Sequence, residues 1–88
     1  MFRLWGKLWE DNHMIKDVII CDDTEDTRTH KVFHALEKIC SEFDLAQPIW
    51  FESSIKEFKR HSKVRFRRDS FMEEIDFDYL EIQVVEED

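Results

Sequence analysis

The sequence predicts an α+β domain, a small antiparallel sheet with a long helix packed on one face, in the order β-hairpin, long helix, short strand, short helix, C-terminal strand. Three observations carry this. Residues 24–43 place apolar side chains at helical spacing, residues 2–10 and 13–21 alternate on either side of Asp11 and Asn12, and residues 78–86 alternate again near the acidic end.

The hairpin comes first along the chain. A two-residue turn at Asp11 and Asn12 sets the two alternating runs antiparallel, and Asn12 tolerates the positive φ that such a turn requires. With an unbroken register, Leu8 faces Ile15, Leu4 faces Ile19 and Phe2 faces Cys21, all on one side. The reverse side then carries Trp5, Trp9, Met14, Val18 and Ile20, interrupted by Arg3, Lys7 and Lys16. One helix shelters one face only. The second side needs either the shorter second helix or another subunit, because contiguous apolar surface marks a contact. Those five residues are therefore the interface candidates, and they point to a homodimer.

In residues 24–43, Val32, Phe33, Leu36, Ile39, Cys40 and Phe43 fall on a stripe roughly 120° wide at 3.6 residues per turn. Asp22, Asp23, Thr24, Glu25, Asp26 and Thr27 offer oxygens and negative charge to the helix start, and Pro48 sets its end near Asp44. Residues 49–51 read as a strand or an extended connection that plants Trp50 in the core. Ser53 or Ser54 caps a short helix from Ile55 to about His61. Residues 63–68 alternate Val64 and Phe66 against Lys63, Arg65 and Arg67, the pattern of an edge strand with a basic outer side. Residues 69–74 suit a turn or one helical turn. In the final strand Leu80, Ile82 and Val84 oppose Tyr79, Glu81, Gln83 and Val85.

The 88 residues suffice for one domain, with the last few residues frayed. A hydrophobic fraction of 42%, with eight Phe and three Trp, supports a packed core despite a net charge of −8. One Gly and one Pro exclude a flexible linker or a glycine-rich phosphate loop. Charges recur through residues 1–12 and no apolar run reaches 18 residues, so the reading is cytoplasmic, with neither a secretory signal nor a membrane span. Cys21 and Cys40 are then free thiols, both expected on core faces.

Charge is unevenly distributed. Residues 56–68 hold seven of the thirteen basic side chains against one acid, and the rest of the chain carries −14. The basic-patch candidates are Lys59, Arg60, Lys63, Arg65, Arg67 and Arg68. With Phe58 and Phe66 nearby, they suit a nucleic-acid backbone or an acidic protein partner. Alternatively, the run neutralises the acidic tail formed by Glu73, Glu74, Asp76, Asp78, Glu81, Glu86, Glu87 and Asp88. The −8 balance favours this pairing, since negative potential repels nucleic acid out to a Debye length of about 8 Å.

His30, His34 and Glu37 lie at i, i+4 and i+7 on the long helix, the sharpest metal-like spacing in the chain. Their centre falls more than about 100° from the core stripe, on the solvent side, so they read as surface residues. The acids at residues 22–26 lack the spacing and glycine of a calcium loop. No serine sits in a glycine-flanked elbow, and neither cysteine has a recognisable catalytic arrangement. No catalytic residue and no cofactor are expected.

The opening Leu4, Trp5, Gly6, Lys7, Leu8 and Trp9, with Phe71, Ile75, Phe77, Asp78, Tyr79, Leu80, Glu81 and Ile82 in the closing run, resemble short bacterial proteins of about this length. The resemblance spans nearly the whole chain. It implies a bacterial, cytosolic origin and carries over no activity, cofactor or site residue. The leading expectation is a non-catalytic interaction or regulatory module that self-associates through an aromatic sheet face, and the alternative is a nucleic-acid-binding accessory protein using residues 56–68.

Overall fold

The computed structural model describes residues 1–87. Four strands, β1 (Phe2–Glu10), β2 (His13–Asp22), β3 (Lys63–Phe66) and β4 (Tyr79–Glu86), form one antiparallel sheet in the order β2-β1-β4-β3. Between β2 and β3 lie two helices, α1 (Arg28–Glu42) and α2 (Glu52–His61). A short 3-10 turn, Arg68–Ser70, follows β3. The expected α+β sheet with the long helix on one face is thus present. The 49–51 run takes the second of its two expected forms, an extended connection, so no strand separates the helices, and the expected edge strand follows the second helix as β3.

Asp11 and Asn12 both take positive φ, 52° and 66°, the conformation whose twist matches the flanking strands. Next to the turn, Glu10 pairs with His13 and Trp9 with Met14, as the two-residue turn requires. The register then slips between Leu8 and Trp9, so that Leu8 pairs with Lys16, Leu4 with Ile20 and Phe2 with Asp22. One extra residue in β2 exchanges the faces of everything beyond it. Val18 and Ile20 therefore pack against the core, and Ile19 pairs with Trp5 on the other side. This corrects the expected facing of Leu4 with Ile19 and of Phe2 with Cys21. It also removes Val18 and Ile20 from the candidate interface, leaves Cys21 exposed, and takes Lys16 off the Trp5 side.

Helix α1 begins four residues later than the acids suggest. Asp22 accepts from the Thr24 backbone N–H and hydroxyl, and Asp26 accepts from the Thr27 N–H. Such local turns compete with helix, so Thr27 becomes the N-cap, its hydroxyl accepting from the His30 N–H at 3.2 Å. The end falls as expected, with Phe43 as C-cap and Asp44 at φ 57°. Val32, Leu36, Ile39, Cys40 and Phe43 are buried and Ala35 joins them, whereas Phe33 at the stripe's margin stays 47% exposed and meets Trp50 edge-on. Burial pushes the Cys40 thiol up to about 11, so it stays protonated at neutral pH. At Gly6 the helix approaches β1 so closely that a Cβ would stand 2.6 Å from Ile39 Cγ2.

Helix α2 starts at Glu52, three residues before the expected Ile55, from Phe51 as an N-cap without a side-chain bond, and Ser54 is buried. Its Phe58 meets Trp50, which in turn packs edge-on against Phe66 of β3 at 4.9 Å. Both helices therefore cover the side of the sheet that carries Leu4, Leu8, Val64, Phe66, Leu80 and Ile82. The shorter helix does not roof the other side. No helix is long and apolar enough to cross a membrane among the described residues.

Candidate functional site

The open side of the sheet is built by period two. Strand β1 turns Arg3, Trp5, Lys7 and Trp9 toward it, β4 turns Tyr79, Glu81 and Gln83, and β3 turns Lys63 and Arg65. Register places Lys7 directly opposite Glu81, and Arg65 opposite Glu81 on the next strand. Two central charges thus meet with no helix above them.

These charges are nevertheless buried, Lys7 at 6% exposure and Glu81 at 3%. The Lys7 Nζ donates to Gln83 Oε1 at 2.9 Å and pairs with Glu81 Oε1 at 3.1 Å. Arg65 Nε donates to Glu81 Oε2 at 3.0 Å, and the Trp9 indole N–H donates to Oε1 at 3.3 Å. The flanking rings provide the cover. Lys7 Nζ lies 4.0 Å from the Trp5 ring centroid, Trp9 stacks on Tyr79, and the guanidinium groups of Arg65 and Arg67 lie over Tyr79 at 4.8 and 5.1 Å. Trp5 is itself fixed by its N–H donating to Asp17 at 3.0 Å.

Burial pushes the Glu81 carboxyl up, but the hydrogen bonds from Arg65 and Lys7 outweigh it and hold the group below its ordinary value. The same bond raises Arg65. A carboxylate saturated by three donors is a poor base, and an ammonium held by two acceptors is a poor nucleophile. The arrangement fixes side chains rather than offering them for reaction. Among the described residues, every fully buried side-chain nitrogen or oxygen has a partner.

Around this fixed centre lies apolar surface. Met14, which pairs with Trp9, and Ile19, which pairs with Trp5, are 42% and 48% exposed, and Ile15 at the bulge is 48% exposed. Of the five interface candidates, the structure thus brings Trp5, Trp9 and Met14 together, and Ile19 takes the place of Val18 and Ile20. The sequence signal for Tyr79, Glu81 and Gln83 was present in the alternation of the last strand. What could not be read was which strand would lie beside β1.

The basic candidates divide. Arg65 pairs with Glu81, and Arg67 rests on Tyr79. Elsewhere in the run Lys56 pairs with Glu52. Among the described residues no ion pair reaches Lys59, Arg60, Lys63, Arg67 or Arg68. The acidic end does pair internally, though largely with other cations. Glu86 meets Arg3 at 2.9 Å and Glu87 meets Arg28. Neutralisation of the basic run by the tail is therefore partial, and Asp88 lies outside the described residues.

His30, His34 and Glu37 are exposed on α1, as their angle from the stripe requires. The two imidazoles stack with centroids 6.3 Å apart, and His30 Nδ1 bonds Asp26 at 2.8 Å. No group of three or more His, Cys, Asp or Glu side chains among the described residues could hold a metal ion.

No protein-family model, curated protein or solved structure matches the chain.

Proposed function

We propose that the chain is a non-catalytic interaction module that pairs with a second copy of itself through the open sheet face. The observation that carries this is a helix-free face on which Met14 and Ile19 stay 42% and 48% exposed beside Trp5 and Trp9, with Ile15 exposed at the bulge next to them. Size supports it. Four strands about 4.8 Å apart, averaging about eight residues because β3 has only four, at about 3.3 Å per residue present about 500 Å². Two such faces bury about 1,000 Å², where specific interfaces begin.

Charge supports the same occupant. A two-fold axis along the strands lays β2 of one copy over β3 of the other, so Asp17 on β2 faces the strand that carries Lys63 and leads to Arg67, neither of which has a carboxylate partner among the described residues. The fixed Lys7–Glu81 centre adds rigidity, because its side chains are ordered before association.

Sedimentation or light scattering over a concentration series tests the proposal. The expected result is a monomer–dimer equilibrium that Trp5→Ser with Trp9→Ser abolishes. Ile19→Arg, which leaves the core untouched, weakens it by at least about tenfold, or about 1.4 kcal/mol. A monomer at every concentration up to the millimolar range overturns it.

A second reading, binding of a single-stranded nucleic acid, is favoured by one observation: Arg67 has no carboxylate partner among the described residues and lies over Tyr79 of the Trp9–Tyr79 stack, with Lys63 on the preceding strand β3 opposite Gln83. Its mark is salt-dependent binding of an RNA oligonucleotide that Arg67→Glu weakens. The −8 net charge and the commitment of Arg65 to Glu81 weigh against it.

A further inference from the structure

On the opposite side of the molecule, α1 and α2 do not close completely over the connection between them. A crevice of about 260 Å³ remains, lined by Val32 and Phe33 of α1, Trp50 of the connection, and Ile55 and Phe58 of α2. Arg28, Thr29 and Lys59 also line it. Its volume lies just below the roughly 300–1,000 Å³ typical of small-molecule sites, suited to a small ligand of about ten non-hydrogen atoms.

Two features distinguish this crevice from an incompletely packed seam. Its walls are apolar and partly exposed, with Phe33 and Ile55 both accessible. Its charged groups, Arg28 and Lys59, are both cations, in a protein whose overall charge is −8. Lys59 has no carboxylate partner among the described residues. Arg28 lies against the Phe58 ring at 5.2 Å while its Nε pairs with Glu87. The Trp50 indole N–H makes no hydrogen bond to the described residues, whereas those of Trp5 and Trp9 each donate to a carboxylate. The first turn of α1 lies at the same place, and its positive end adds to the local potential.

We propose that this crevice is a binding site for a small amphiphilic carboxylate, a medium-chain aliphatic or aryl acid. Its apolar body lies among Val32, Phe33, Trp50, Ile55 and Phe58, and its carboxylate meets Lys59 and Arg28. The cations select the anion and the rings supply the contact area. Glu87 already places a carboxylate on Arg28, so Lys59 is the principal anchor for an incoming one.

Titration of the full chain with octanoate, and in parallel with the uncharged 1-octanol, tests this through the methyl resonances of Val32 and Ile55. The expected result is saturable shifts at both positions with octanoate. Lys59→Glu should weaken octanoate by about tenfold and leave octanol unchanged. Lys59 is exposed, so the variant folds; Ile55→Ser serves as a second probe and weakens both ligands. The proposal is overturned by any of three outcomes: no saturation, equal affinity for octanoate and octanol, or shifts that map elsewhere. Binding of an acidic amphipathic peptide across α1 and α2 in preference to octanoate overturns it as well.

Discussion

Strand β1 contributes Phe2, Leu4, Gly6 and Leu8 to one face of the sheet and Arg3, Trp5, Lys7 and Trp9 to the other. The first set meets two helices and is closed by apolar packing, with Ile39 against Gly6. The second set meets no helix, yet Lys7 and Glu81 in its middle are almost as dry as the core. There the rings of Trp5, Trp9 and Tyr79 do over the charges what helices do over leucines. The difference shows that burial on a sheet follows from neighbouring side-chain size as well as from a covering element. The same contacts hold the open-face side chains in place, as the proposed pairing through that face requires.

The contrast breaks most severely at its buried charges. Glu81→Ala leaves Lys7 without its anion in a dry site, and a loss of about 3–5 kcal/mol is expected in urea unfolding. Lys7→Met together with Glu81→Leu should recover most of that loss, since an uncompensated charge, rather than the missing pair, is what destabilises. Because Glu81 sits below its ordinary carboxylate value of 4.5, its contribution is full above that pH. It disappears as pH falls through the lower folded-state value. Acid unfolding of Glu81→Gln should accordingly begin from lower stability and show a shallower pH dependence than the parent chain. Parallel curves would show that the carboxylate titrates unperturbed.

On the covered face the sharpest change is smaller. Gly6→Ala drives a Cβ into the fully buried Ile39 side chain and should cost about 1–3 kcal/mol. Combining it with Ile39→Ala should cost less than the two single losses together. Strict additivity would mean that helix and strand do not touch at that point.

The smallest expected effect tests the division between the faces. At concentrations where the chain is monomeric, Ile20→Ser removes a side chain packed on the core and should cost about 1–2 kcal/mol. Ile19→Ser, one residue earlier, should stay within about 0.5 kcal/mol. Equal losses, or the reverse order, would restore the unbroken hairpin register.

Much of this was legible locally. The turn at Asp11 and Asn12, the end of α1, the edge position of β3 and the two faces of β4 all follow from residue type and period, which need only near neighbours. The start of α1 was misread because Asp22 and Asp26 bond their own backbone instead of extending the helix. Phe33 looked like core because periodicity gives the angle of a stripe but not how far the covering surface extends.

By itself, then, the amino-acid order determined alternation in residues 2–10, 13–21, 63–68 and 78–86, an amphipathic long helix and a concentration of cations in residues 56–68. The tertiary structure alone decided which side of β2 each residue occupies, because a one-residue bulge reverses the faces without altering the alternation. It also alone decided that Glu81 is dry. Lys7 and Gln83 stand 76 positions apart, and only the pairing of β1 with β4 brings them within hydrogen-bonding distance under shared aromatic cover.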